Sequence, residues 1–259
     1  MPDHSPSAGT QTATRSLSFY SAPGHNPFHS RVRHECLTTL KMSSVHTISF
    51  KRRHLPHWMV ADCSYFVTIR LKGSLPQHVL AALAAEKKQL LDSVHSERDM
   101  ESIHRERFLR LDAMLDRCRS GPKHLQHSTI AHFVMSAFDW LQDKKGWQIR
   151  ALTIMPNHLH VLIRNIEGRN HRLNQDLGCL KGYTARLANQ VLNRSGAFWM
   201  DENFDHWCRT ESHAQRATRY IALNPVKAGL VNKWQDWPWT KVSQAFLPDL
   251  ERTLEHERQ

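Results

Sequence analysis

Apolar side chains alternate with polar ones between residues 65 and 71. The apolar positions are Tyr65, Val67, Ile69 and Leu71. A period of two is typical of a β-strand that buries one face. Two more strands are predicted at 147–155 and 158–164, and the Pro156-Asn157 turn between them favours a hairpin.

Four segments show the longer period of an amphipathic helix. The first begins at Ser74, which precedes an early proline and is followed by Gln77, a pattern typical of a helix start. The second buries Ile130 to Leu141 and ends at Gly146, the third covers 173–191, and the fourth covers 213–223. Asn224-Pro225 predicts the end of the fourth helix, and the charged stretch 92–107 predicts a solvated excursion.

The composition changes at both ends of the chain. Residues 1–47 are rich in Ser, Thr, His, Pro and Gly and have no apolar period, which predicts a disordered basic tail. Met42 is a candidate for the natural start. We expect one folded domain over 48–247 and a C-terminal tail over 248–259.

The chain carries a net charge of +11 and has a pI of about 9.7. Residues 1–53 hold seven Lys or Arg against two Asp or Glu, so the rest of the chain is also basic. Such a balance favours a polyanionic partner, most commonly nucleic acid. Charge alone also fits a protein that is simply kept soluble.

The five cysteines are odd in number and far apart, and no C-x-x-C pair occurs. This spacing argues against a disulfide framework or a cysteine-rich zinc module and favours free thiols in a reducing cytoplasm. No apolar run approaches the roughly 18 residues that span a membrane. The first 20 residues lack a hydrophobic signal core.

His158 and His160 flank one leucine in the apolar run after Pro156-Asn157. On a strand the two imidazoles project from the same face, with Cβ atoms roughly 7 Å apart, so both can reach one divalent cation. The spacing alone equally fits two histidines on a solvated face.

Tyr183 lies at the edge of the buried stripe of the third helix, where spacing alone favours an aromatic that packs on the core. Asp176 and Gln190 stand seven residues on either side and share its face. Lys181 and Arg186 supply positive charge nearby.

Five ordered motifs carry a resemblance to a known family. They are 65–68 with 71–76, 155–163, Leu180-Lys181-Gly182-Tyr183-Thr184-Ala185, 198–199 with 204–207, and 220–221 with Asn224-Pro225-Val226-Lys227-Ala228-Gly229-Leu230-Val231. Over residues 51–243 the chain resembles the REP-associated tyrosine transposases, members of the single-tyrosine HUH endonuclease superfamily.

The resemblance implies an α+β fold, a ferredoxin-like or RRM-like antiparallel sheet with helices on one face. It implies that His158 and His160 lie on a middle strand and hold Mg²⁺ or Mn²⁺. Tyr183, on a helix facing them, would attack the phosphorus and form a 5′-phosphotyrosine. Gln190 and Asp176, on the same face of the helix as Tyr183, are the candidates for a third metal ligand, with water as the alternative. The folded domain would then be the transposase catalytic domain.

The implied partner is single-stranded DNA with hairpin repeats, nicked and rejoined in the bacterial cytoplasm, by a monomer or a homodimer associated with the nucleoid. The candidate DNA contacts are Arg52, Arg53, Lys181, Arg186 and Arg209. Two other functions stay open: a non-catalytic module that binds single-stranded nucleic acid, and a metal-dependent phosphodiesterase that uses water as its nucleophile.

Overall fold

The computed structural model describes residues 47–52, 56–60, 63–92, 106, 110–117, 121–165 and 172–256. The chain divides into two units, 1–44 and 45–259, and all described residues belong to the second. The tail predicted for 1–47 therefore lies, apart from its last residue, outside the described residues. Most of the charged stretch 92–107 does so too.

Two antiparallel sheets contain all the named strands. β1 (Thr47–Arg52) pairs with β2 (Pro56–Val60) in a two-stranded sheet. The second sheet has five strands in the order β6-β3-β5-β4-β7, which places β5 in the centre. Its strands are β3 (Ser64–Arg70), β4 (Gln148–Ile154), β5 (His158–Arg164), β6 (Phe204–Cys208) and β7 (Thr240–Val242).

Six helices are interspersed with the strands along the described part of the chain. They are α1 (Gln77–Asp92), α2 (the described helical residues 110–116), α3 (Ser128–Lys145), α4 (Leu173–Val191), α5 (Glu211–Lys227) and α6 (Leu247–His256). The succession β3-α3-β4-β5-α4-β6, with the sheet order β6-β3-β5-β4, is the ferredoxin-like arrangement. The predicted fold class, α+β with an antiparallel sheet, is confirmed. No helix in the described ranges is long and apolar enough to cross a membrane.

One face of the five-stranded sheet forms the main hydrophobic core with α3 and α4. The alternate residues of β3 and β5, such as Val67, Ile69 and Val161, point to this face and are fully buried. α3 contributes Val134 and Phe138 among others, and α4 contributes its own buried leucines. The period of two in the sequence set this face, as predicted.

The other face of the sheet is also covered, by α2 and α5. Here the outward neighbours in sequence, among them Thr68, His158 and His160, are buried against polar side chains of these two helices. Helices thus lie on both faces, where the sequence predicted them on one. All seven residues of β3 are buried, because a central strand sandwiched between helices has no solvated side.

The predicted end of the fourth helix is wrong. α5 does not stop at Asn224-Pro225 but continues to Lys227 with Pro225 inside it. Pro225 lacks an N–H to complete the last turn, yet its carbonyl still accepts from Leu230 N, and Asn224 is anchored by a buried side-chain contact. Residues 248–256 of the stretch predicted as a C-terminal tail lie in α6, which buries Leu250, and the last three residues lie outside the described ones.

We expect two glycine substitutions to change stability in opposite directions. Gly146 ends α3 with a φ of 72°, so Gly146→Ala should destabilise the protein by about 1–2 kcal/mol. Gly178 lies inside α4, where an added Cβ meets nothing within 4 Å. Gly178→Ala should stabilise by about 0.5–1 kcal/mol because alanine restricts the unfolded chain more than glycine. Urea denaturation measures both, and equal signs would contradict the assignment of the helix end.

Candidate metal and tyrosine site

The two histidines of β5 are held in one tautomer by their outer ring nitrogens. His158 Nδ1 lies 2.7 Å from the side-chain oxygen of Asn157, which only accepts, so Nδ1 donates. His160 Nδ1 lies 2.9 Å from Thr68 Oγ1, whose own proton goes to Asp112 at 3.1 Å. Both Nδ1 atoms therefore carry hydrogen, which leaves both Nε2 lone pairs free to bind a cation.

The Nε2 atoms converge on one carboxylate oxygen. They lie 2.9 Å from each other, and Asp116 Oδ1 is 3.3 Å from His158 Nε2 and 3.1 Å from His160 Nε2. Ligands at right angles around an octahedral cation with bonds of about 2.1 Å are about 3 Å apart. The triangle therefore fits three neighbouring ligand positions of a small divalent cation, and Asp116, His158 and His160 form a candidate metal site.

The charges at this site also suit a cation. Burial, followed by the neighbouring His160, lowers the pKa of His158 to about 4, so that ring stays neutral. Burial alone would raise the pKa of Asp116, but hydrogen bonds with the two histidines outweigh it and hold the pKa below its ordinary value. Burial opposes protonation of His160, yet Asp112 and Asp116 together raise its pKa.

A tyrosine of α5 reaches the same carboxylates. Tyr220 Oη donates to Asp112 Oδ2 at 2.6 Å and also contacts Asp116 Oδ2, while the ring lies 5.5 Å from that of His160. Four residues on, Asn224 Nδ2 donates to Asp116 Oδ1 at 2.8 Å. The spacing of four puts Tyr220 and Asn224 on one face of the helix, and both are tied to the metal-site carboxylate.

Ionisation of the Tyr220 hydroxyl is unfavourable in this environment. Burial raises the pKa of its hydroxyl well above the ordinary value, and the charges of Asp112 and Asp116 raise it further. Burial likewise raises the pKa of Asp112 to about 6, so Asp112 is a stronger proton acceptor than an exposed aspartate. The ammonium of Lys227 lies 4.7 Å from the centre of the Tyr220 ring.

Tyr183 is not brought to the histidines. Its side chain is 51 % exposed on α4, whose buried residues pack on the sheet face shared with α3, and its described ring contact is with Arg186. His158 and His160 point to the opposite face. The prediction that the Tyr183 helix faces the two histidines is therefore wrong within this chain. In the ferredoxin-like order the two crossover helices share a face, and α4 is the second of them.

Gln190 also lies on α4, exposed, beside Arg186 and Arg194 at a shallow surface pocket. Asp116, and not Gln190, meets the two histidines. Asp176, which shares the α4 face in the sequence pattern, accepts a hydrogen bond of 2.8 Å from Trp147 Nε1 and so joins α4 to the connection between α3 and β4.

The predicted DNA contacts have varied surroundings. Lys181 Nζ donates to Asp201 O at 2.8 Å and to Asn203 Oδ1 at 3.0 Å, and burial lowers its pKa to about 8. Arg186 stacks 5.8 Å from the Tyr183 ring, and Arg209 stacks 5.2 Å from the ring of Trp207. Arg52 ends β1, and Arg53 lies outside the described residues. Their roles stay predictions.

The residues that sequence reasoning missed are mainly Asp112, Asp116 and Tyr220. The two aspartates follow the charged stretch 92–107, in a segment to which the sequence reasoning assigned no element. The available signal was the spacing: both are followed or preceded by buried leucines, and an interval of four puts the two carboxylates on one helical face. The same interval separates Tyr220 from Asn224.

Comparisons with known proteins agree with the motifs. No family model matches the chain. A Haemophilus influenzae protein provisionally described as a REP-associated tyrosine transposase is 24 % identical over 113 residues, which are 40 % of this chain and 64 % of that protein. The chain resembles a REP-associated tyrosine transposase. The match thus spans less than two thirds of the relative.

Two solved structures are also similar. A REP-associated tyrosine transposase bound to a REP hairpin aligns with 80 % of this chain and 88 % of its own, at 17 % identity and a TM-score of 0.43. A Deinococcus radiodurans protein provisionally described as a transposase aligns with 64 % of this chain and 91 % of its own, at 14 % identity and a TM-score of 0.27.

We expect Mn²⁺ to raise the thermal unfolding midpoint through Asp116. At a hundredfold excess over its Kd, the cation should raise the midpoint by about 5–10 °C. Asp116→Asn removes the charged ligand and should abolish most of this shift, whereas Gln190→Ala should keep it. Each variant is compared with itself in EDTA, so that a loss of intrinsic stability does not count. A shift that survives Asp116→Asn and disappears in Gln190→Ala would restore Gln190 as the ligand.

Proposed function

We propose that this protein is a metal-dependent tyrosine DNA transposase that cleaves and joins DNA strands, with Tyr220 as its nucleophile. The observation that supports this most directly is the hydrogen bonding of Tyr220 Oη to the carboxylates of Asp112 and Asp116, because Asp116 also meets His158 and His160. A nucleophile, a proton acceptor and a cation site thus lie within one cluster.

Asp116, His158 and His160 would hold the metal, Mg²⁺ or Mn²⁺. When bound, the cation would polarise a non-bridging phosphate oxygen and orient the phosphate. Asn157 and Thr68 fix the rings from behind, so the ligand nitrogens need little rearrangement on binding. Two imidazoles and one carboxylate suit Mn²⁺ better than Mg²⁺, which prefers oxygen.

The nucleophilic step needs a proton acceptor at Tyr220. The phenolic proton can pass to Asp112 Oδ2, which already accepts it as a hydrogen bond at 2.6 Å. Tyr220 Oη then forms a bond to phosphorus as the bond from phosphorus to the 3′ oxygen breaks. The 3′ oxygen leaves and takes up a proton, and the 5′ end stays attached as a phosphotyrosine.

The reverse step rejoins DNA without an external energy source. A tyrosyl oxygen has an ordinary pKa of about 10, so it is a better leaving group than an alkoxide. A 3′-hydroxyl can therefore attack the phosphotyrosine and release Tyr220. This reversibility supports strand transfer as well as cleavage.

Single-stranded DNA with hairpin repeats is the proposed substrate. The net charge of +11 and the resemblance to a REP-associated transposase support a DNA substrate. The protein would act in the cytoplasm, in contact with the nucleoid, as a monomer or a homodimer. The predicted contacts Arg52, Arg53, Lys181, Arg186 and Arg209 are proposed to bind backbone phosphates.

Tyr183 and Tyr220 make a matched pair for testing the nucleophile. With a labelled single-stranded hairpin from repeats near the gene and Mn²⁺, we expect a labelled band at the mass of the protein on a denaturing gel. Tyr220→Phe should reduce this adduct by about a thousandfold or more, because no hydroxyl remains to attack. Tyr183→Phe should leave it unchanged.

The converse result would contradict the proposed nucleophile: an adduct lost in Tyr183→Phe and kept in Tyr220→Phe would require the α4 tyrosine, acting in another copy of the chain. Cleavage without an adduct in the unaltered protein would favour the water-using phosphodiesterase. Binding without cleavage, with every metal tried, would favour the non-catalytic binding module.

A further inference from the structure

Arg70 is a buried cation beside the metal site. It is the last residue of β3 and pairs directly with His158 of β5, so the two side chains leave the sheet on the same face with Cβ atoms about 5 Å apart. Arg70 is only 4 % exposed. A guanidinium stays charged in proteins, and its burial is costly unless an anion lies nearby.

The described residues supply no such anion. Arg70 Nη1 donates to the neutral hydroxyl of Ser74 at 3.3 Å, and Nε is buried without a hydrogen-bond partner. No carboxylate among the described residues lies within ion-pair distance of Arg70. Burial lowers the pKa of Arg70, and no neighbouring charge offsets that effect.

Arg150 is a buried arginine of the same sheet that does have a counter-charge. It is equally buried, at 4 % exposure. Its Nη2 lies 3.0 Å from the carboxylate of Glu211, its Nη1 donates to Ser64 at 3.0 Å, and its guanidinium lies over the ring of Phe246. Within the described part of the chain, Arg150 thus has a counter-charge, whereas Arg70, next to His158, has none.

We propose that Arg70 binds a backbone phosphate of the DNA strand next to the site of Asp116, His158 and His160. The planar guanidinium suits two parallel hydrogen bonds to phosphate oxygens, and the anion would balance the buried charge. Arg70 would thereby fix the position of the strand relative to Tyr220. This inference rests on the proposed DNA function and assigns to Arg70 a ligand within it.

The test measures DNA affinity without chemistry. A labelled hairpin oligonucleotide with a single-stranded flank is bound in EDTA over a range of KCl concentrations, and fluorescence anisotropy gives Kd. Arg70→Gln should weaken binding by about ten- to a hundredfold. The slope of log Kd against log salt should fall by about 0.7, the value for one lost phosphate contact on a single strand.

Arg150→Gln is the matched control, because it removes an equally buried charge that already has a protein partner. It should lower the thermal midpoint and leave the salt slope unchanged. Arg70→Lys should restore the slope and part of the affinity. If circular dichroism shows that Arg70→Gln is unfolded, Arg70→Lys serves as the test of the phosphate contact. We then expect Arg70→Lys to bind the hairpin more weakly, with an unchanged salt slope.

Two outcomes are distinct. If the unaltered protein binds the hairpin and Arg70→Gln, or the deciding Arg70→Lys, binds it with the same Kd and slope, the phosphate site is overturned while the proposed function stands. If the unaltered protein binds no hairpin DNA at any salt concentration, both are overturned.

Discussion

The burial of both faces of β5 is the constraint on which this protein depends. A strand between two helical layers must place every second side chain in each layer, and here one layer receives Leu159 and Val161 while the other receives His158 and His160. The apolar set stabilises the fold by packing on α3 and α4. The polar set is stable in a buried position only because the covering helices supply hydrogen-bond partners.

Those partners come from elements far away in sequence. α2 brings Asp112 and Asp116, and α5 brings Tyr220 and Asn224, and these side chains hydrogen-bond with one another, with Thr68 and with the two histidines. The network stabilises the folded protein more than the sum of its separate pairs would, because removing one partner leaves a buried charge uncompensated. The same arrangement that satisfies the buried imidazoles also builds a site for a cation.

The two helical layers have different roles. The layer with α3 and α4 is the apolar core and holds the sheet in shape, whereas the layer with α2 and α5 holds the groups with chemistry. Arg70, the last residue of β3, pairs with His158, the first residue of β5, and both side chains belong to this second layer. No carboxylate of the described residues pairs with this guanidinium, and in our proposal a DNA phosphate supplies the anion.

The sequence by itself determined the strands and helices of the core, since periods of two and of three to four residues follow directly from backbone geometry. It also determined that His158 and His160 share a face, because no register leaves residues i and i+2 of a strand on opposite sides.

Only the tertiary structure decided which helix covers that face. Tyr183 and Tyr220 are both helical tyrosines near basic residues, and their local patterns do not distinguish them. The crossover order of the sheet places the helix of Tyr183 on the apolar layer and the helix of Tyr220 over the histidines. Asp116 likewise became a candidate ligand only through a contact with residues more than 40 positions away, which no local pattern encodes.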